Sequence, residues 1–193
     1  MDLKKILHSL ENCPCGRKHT FVTEVAEIGH GVKERAGKIL ADAGFPKKVL
    51  IVSDDNAMRA ADGLLPVLEA AGFEMKKLVY KNMMYAKIEQ VREVEALLGD
   101  VDGVIAVGTG SVDDICRVAS FNKKKKFAIF ATAPSMDGFA SDSAPIIKNT
   151  APTPRIANGL LYKPHRLSSA APAKIGKTHV ASSALPRPFL CRA

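Results

Sequence analysis

The chain has 193 residues, 47% of them hydrophobic, no tryptophan, and a formal net charge of +8. That length suits one full domain and excludes two large ones. Its lack of an 18-residue apolar stretch excludes a membrane-spanning helix.

The charge is not spread evenly. Residues 1–148 hold 21 basic and 20 acidic side chains, whereas residues 149–193 hold 7 basic and no acidic ones. A near-neutral body argues against a nucleic-acid partner, and the tail has neither clustered Arg and Lys nor the aromatic residues of a stacking platform. The run Lys123–Lys126 reads as a solvated turn before a strand. The opening residues lack the apolar core and cleavage site of a secretion signal, so a cytoplasmic location is expected. Four cysteines at 13, 15, 116 and 191 suit reduced, intracellular use. Cys13, Cys15 and His19 could contribute to a zinc site, or Gly16 could simply bend a terminal turn.

In chain order, Val25, Ile28, Val32, Ala36, Ile39 and Leu40 recur at helical spacing, predicting a helix over 22–43 that ends at Gly44. Val49–Val52 is a continuous apolar run within a strand from Lys48 to Ser53, as expected when both faces are buried. A helix over 57–71, a strand over 75–80 and a helix over 87–98 follow. Next come a strand over 103–107, a helix over 112–121 and a strand over 127–131. This alternation predicts an α/β fold: a Rossmann-like parallel sheet with flanking helices over residues 1–148. Residues 149–193, with six of the eleven prolines and no sustained periodicity, are expected to form an irregular tail.

Ligands of such sheets bind beyond the carboxyl ends of the strands. Three segments lie there. Gly108-Thr109-Gly110-Ser111 joins a strand to a helix, where glycine permits close approach of a phosphate and the helix start offers unpaired N–H groups. Ser111 and Asp114 have the spacing of a capping box. Asp54 follows the first apolar strand; a carboxylate there suits a ribose 2′-hydroxyl and opposes a 2′-phosphate, and it equally suits capping the next helix. Thr132 to Ser143 is rich in small and hydroxylated residues. Its Asp137 could bind a substrate hydroxyl or serve a turn.

Together, Cys13-x-Cys15-Gly16-x-x-His19, Val52-Ser53-Asp54-Asp55-Asn56, Gly108-Thr109-Gly110-Ser111-Val112-Asp113-Asp114 and Thr132-Ala133-Pro134-Ser135-Met136-Asp137-Gly138-Phe139-Ala140-Ser141 resemble the sn-glycerol-1-phosphate dehydrogenases. That group lies within the iron-containing alcohol dehydrogenase and dehydroquinate synthase superfamily. The resemblance covers about residues 10–148. It implies reduction of dihydroxyacetone phosphate to sn-glycerol 1-phosphate with NADH or NADPH. It implies that Asp54 holds the adenosine ribose, that Gly108 to Asp114 (Gly108, Thr109, Gly110, Ser111 and Asp114 among them) cradle the pyrophosphate, that Thr132, Ser135 and Ser141 contact the cofactor, and that Asp137 contacts the substrate. In the family a divalent metal (zinc, nickel or iron), held by one Asp and two His of a second, all-helical domain, polarises the ketone. The resemblance stops at the tail, so His165 and His179 receive no metal role and no intact catalytic set is assigned. The expectation is a truncated or frame-shifted, inactive form that binds no metal, the alternative being a non-catalytic NAD-binding module. An exposed domain face could support association of two copies.

Overall fold

In the run Lys48–Asp54 every residue after Lys48 is buried, and alternate side chains enter two different cores. Leu50 and Val52 pack with Val91, Val94, Leu98, Val112 and Ile115 on one face. Val49 and Ile51 pack with Val32, Ala36, Leu40, Leu64 and Leu68 on the other. A strand covered on both sides has no polar face, which is why the sequence lacks the alternation of a half-exposed strand.

In this computed structural model residues 5, 8, 23–133, 144–148, 160–162 and 177–181 are described, the last two stretches by backbone alone. The strands are β1 (Thr23–Glu27), β2 (Lys48–Asp54), β3 (Glu74–Tyr80), β4 (Gly103–Gly108), β5 (Lys126–Ala131), β6 (Ala144–Ile146), β7 (Leu160–Tyr162) and β8 (Lys177–Ala181). The helices are α1 (Val32–Asp42), α2 (Asp55–Ala60), α3 (Leu64–Ala70), α4 (Ile88–Leu97) and α5 (Gly110–Lys123). Six strands form one sheet in the order β1-β8-β5-β4-β2-β3, all its pairings parallel. β6 and β7 form a separate antiparallel pair. Helices α4 and α5 cover one face, and α1 and α3 cover the other. This is the α/β parallel sheet with flanking helices expected from the sequence.

Four details differ from that expectation. The predicted helix over 22–43 is a strand followed by a helix: β1 ends at Glu27, and α1 begins only after Gly31, which sits at φ 73. Val25 and Ile28, three apart, mimic helical spacing, but Val25 is only half-buried in β1 and Ile28, just past it, is exposed. The predicted helix over 57–71 is interrupted between α2 and α3, where Gly63 takes φ 82. Helix α5 begins at Gly110 with Thr109 as its N-cap, so Ser111 already lies inside the helix and the capping box with Asp114 does not form. Finally, the tail contributes β7 and β8. β8 enters the main sheet between β1 and β5, a long-range pairing that local periodicity does not reveal.

The lysine run closes α5 and opens β5. Lys124 takes the left-handed conformation at φ 53, and the amide of Lys125 donates to the carbonyl of Ser120. Among the described residues no helix is long and apolar enough to cross a membrane.

Candidate dinucleotide site at the strand ends

β2 pairs with β3 on one side and β4 on the other. The chain therefore leaves β2 toward β3, then crosses back to build β4 and β5. In a doubly wound sheet this reversal opens a crevice between the carboxyl ends of the two strands that flank it, here β2 and β4. Ser53 is in register with Val107, so Asp54 and Gly108 end neighbouring strands. The buried Ser53 hydroxyl donates to the carbonyl of Val107 at 2.6 Å, tying the strand ends together.

Gly108 is set by packing. A Cβ there would lie 2.9 Å from Val112 Cγ2, 3.1 Å from Val112 Cβ and 3.5 Å from Ala57 Cβ. The turn into α5 thus closes tightly only without a side chain. Gly110 is different: among the described residues a Cβ would meet no atom within 4 Å. The carbonyl of Thr109 accepts from the amides of Val112 and Asp113, at 3.1 and 3.0 Å. The Gly110 and Ser111 amides precede the first intrahelical donor, and among the described residues they have no backbone acceptor. They face an approach that Gly110 leaves clear, at the positive end of a 14-residue helix. The Ser111 hydroxyl donates to the carbonyl of Met84 at 3.4 Å.

Asp54 is the N-cap of α2. Its Oδ1 accepts from the amides of Asn56 and Ala57, both at 2.9 Å, and the residue is only 5% exposed. The capping role that the sequence allowed is therefore present. Oδ2 takes no hydrogen bond among the described residues. Thr132 continues the ladder beyond β5, its amide donating to the carbonyl of Gly108 at 3.1 Å. The structure thus brings together Asp54, Gly108, Thr109, Gly110, Ser111 and Thr132. Ser135, Asp137 and Ser141 lie outside the described residues, as do Cys13, Cys15 and His19.

Asp114 sits in the second turn of α5 and is 9% exposed. Burial, with a further push from the neighbouring Asp113 carboxylate, raises its carboxyl to about 7 despite the opposing charge of Arg117. Asp113 and Arg117 form a buried ion pair one helical turn apart. The sequence reading did not single out this pair, although its i,i+4 spacing is the available signal. Burial also pushes the Cys116 thiol well up, which leaves it inert as a nucleophile. Among the described residues no three His, Cys, Asp or Glu side chains converge as a metal would require. None of them is therefore given a metal role.

Comparison with known proteins gives this arrangement a family. Residues 27–158 match the family of iron-containing alcohol dehydrogenases. A protein named glycerol-1-phosphate dehydrogenase (NAD(P)+) from Halalkalibacterium halodurans is 27% identical over 154 residues, covering 76% of this chain and 38% of its own length. The one from Geobacillus stearothermophilus is 31% identical over 152 residues, covering 75% and 37%. The one from Thermoplasma acidophilum is 32% identical over 123 residues, covering 63% and 35%. Among solved structures, a glycerol dehydrogenase from Schizosaccharomyces pombe superposes with a TM-score of 0.62 at 18% identity, over 86% of this chain and 39% of that one. An iron-containing alcohol dehydrogenase from Thermococcus thioreducens gives 0.62 at 13% identity, over 85% and 46%. The chain thus spans less than half the length of these relatives. With its sheet, its glycine turn and a match across more than half of its residues, the chain belongs to the iron-containing alcohol dehydrogenase family, within which its sequence is similar to the glycerol-1-phosphate dehydrogenases.

Proposed function

We propose that this chain is the cofactor-binding half of an NAD(P)-dependent dehydrogenase acting on sn-glycerol 1-phosphate and dihydroxyacetone phosphate. One observation carries the reading: at the β2/β4 reversal, a carboxylate at one strand end adjoins a glycine turn at the next, with helix-start amides left clear by Gly110. The pyrophosphate takes the Gly110 and Ser111 amides, and the dipole of α5 favours its negative charge. The adenosine ribose reaches Asp54, whose Oδ1 is committed to the α2 amides and whose Oδ2 accepts the hydroxyl. That carboxylate opposes a 2′-phosphate, so NAD binds more tightly than NADP. Thr132, Ser135 and Ser141 contact the cofactor, and Asp137 contacts the substrate. The roles of these four residues rest on the family pattern alone. When bound, the dinucleotide supplies the hydride; this chain's own groups bind, orient and exclude water.

The curated relatives named for glycerol-1-phosphate support the substrate class. Calorimetry of the 193-residue chain with NAD and NADP tests the cofactor reading; no heat from either at millimolar concentration rejects it. A second reading is a non-catalytic dinucleotide-binding module, supported by the same glycine turn and helix-start amides. Turnover with dihydroxyacetone phosphate and NADH, with zinc or nickel added, separates the two. Metal-dependent NADH oxidation by this polypeptide excludes both the module and an inactive form.

A further inference from the structure

Residues 81–87 join β3 to α4, and their backbone is bonded at alternate residues to other segments of the strand-end region. The Asn82 amide donates to Asp55 Oδ1 at 3.2 Å, one residue beyond the Asp54 carboxylate. The Met84 carbonyl accepts from the Ser111 hydroxyl at 3.4 Å, at the glycine turn into α5. The Ala86 carbonyl accepts from the Ile147 amide at 2.8 Å, and the Ile147 carbonyl accepts from the Ile88 amide at 3.0 Å. Ile147 directly follows β6, and Ala86 is buried in the core that packs α4 and α5. The linker is therefore firmly anchored at its α4 end. Its course past the glycine turn depends on how the other end is held.

Asn82 sets that other end. It takes φ 48, and among the described residues the only other non-glycine residue at positive φ is Lys124, which closes α5. A side chain disfavours this left-handed conformation, asparagine less than most. By accepting the Asn82 amide, the Asp55 carboxylate makes a charge-assisted bond that holds the turn against relaxation. The bond from Ser111 to Met84 is long for a hydroxyl donor, so a small shift of the linker breaks it. Ser111 is also one of the two residues whose amides receive the pyrophosphate. We propose that Asp55 is a positioning residue for the glycine turn, an inference that rests on the dinucleotide reading above. It acts through Asn82 and Met84 on Ser111, without touching the ligand.

The test is calorimetry of the 193-residue chain with NAD, in wild type and in Asp55→Ala, Asp55→Asn, Asn82→Gly and the Asp55→Ala/Asn82→Gly double variant. Substitutions that act on a site through intervening contacts change its affinity by about two- to thirtyfold. Asp55→Ala is expected to weaken NAD within that range, and Asp55→Asn, which keeps an acceptor oxygen, to weaken it less. The sign is informative, because deleting a carboxylate near an anion's site strengthens binding on charge alone. Glycine enters positive φ without steric cost, so the turn in the Asn82→Gly background no longer needs the carboxylate. There the loss on adding Asp55→Ala is expected to shrink by at least about twofold. Asp55 is only half-buried and Asn82 is exposed, so the variants fold, and circular dichroism checks it. Unchanged or tighter NAD binding in Asp55→Ala, or an equal loss with and without Asn82→Gly, overturns the positioning role and leaves the dinucleotide reading standing. Wild-type protein that binds no NAD removes both.

Discussion

Gly108 and Gly110 lie two residues apart in one turn, yet the structure predicts opposite consequences for the same substitution. A methyl at Gly108 would sit 2.9 Å from Val112 Cγ2 and 3.1 Å from Val112 Cβ. Val112 is fully buried and belongs to the core that packs α5 on the sheet, so it has nowhere to retreat. Overpacking of this kind costs about 1–3 kcal/mol, which lowers Tm by roughly 2–12 °C in a domain of this size. Among the described residues a methyl at Gly110 meets nothing within 4 Å, and this residue is the first of the helix. Gly110→Ala is thus neutral or stabilising, by at most about 1 kcal/mol. It does, however, fill the approach to the Gly110 and Ser111 amides, so it should abolish NAD binding. Urea denaturation of both variants measures the first difference, and calorimetry the second. Adding Val112→Ala to Gly108→Ala supplies a cycle: relief of the clash appears as a coupling of about 0.5–3 kcal/mol between the two sites. Strict additivity, or a Gly110→Ala variant less stable than Gly108→Ala, refutes the assignment of one glycine to packing and the other to ligand access.

Three further outcomes follow from other groups. Asp54→Ala removes the cap of α2 and should cost about 1 kcal/mol in urea denaturation, whereas Asp54→Ser keeps a capping oxygen and most of the stability; both should weaken NAD and narrow its advantage over NADP. A native Asp114 carboxyl near 7 is raised above its unfolded value, so the group is protonated in both states at low pH and costs stability only as pH climbs from about 4 to 7. Asp114→Asn should therefore become progressively more stable than wild type across that window, with the gap constant above it; a gap independent of pH contradicts the raised carboxyl. Arg117→Met removes the ion-pair partner of the buried Asp113 carboxylate and should lower stability by about 3–5 kcal/mol, so a loss below about 1 kcal/mol in the same measurement excludes a structural role for the pair.

The central strands were legible because burial on both faces leaves a continuous apolar run, as in Val49–Val52 and Val104–Val107. Their order was not, since which strand lies beside which depends on contacts distant in sequence. β1 was concealed for a local reason. Val25 and Ile28 continue into the period of Val32 and Ala36, yet Ile28 is 41% exposed and the chain turns through Gly29 and Gly31, both at positive φ, before the helix starts. At the site, glycines and acids at strand ends pointed to Asp54 and the Gly108 turn. The roles inside the turn were less accessible. Whether a glycine is there for packing or for access depends on what its absent Cβ would touch, and Val112 and Ala57 approach Gly108 from different elements. Asn82 and Met84 went unnoticed because they act through backbone groups that no motif marks, and the role of Ser53 because its hydroxyl meets a carbonyl 54 residues away.

The position of β8 has a consequence for how the chain is made. β1 joins the sheet through β8, with Thr23 opposite Lys177, so its ladder partner is synthesised more than 150 residues later. At a translation rate of about 5–20 residues per second, β1 waits on the order of ten to thirty seconds after emerging before that partner exists. During that interval β2 to β5 can already assemble, while β5 presents an open edge in the slot β8 will fill. A nascent chain halted before residue 177 therefore leaves open both strand edges that β8 will pair, and such unpaired edges are open to pairing with other chains.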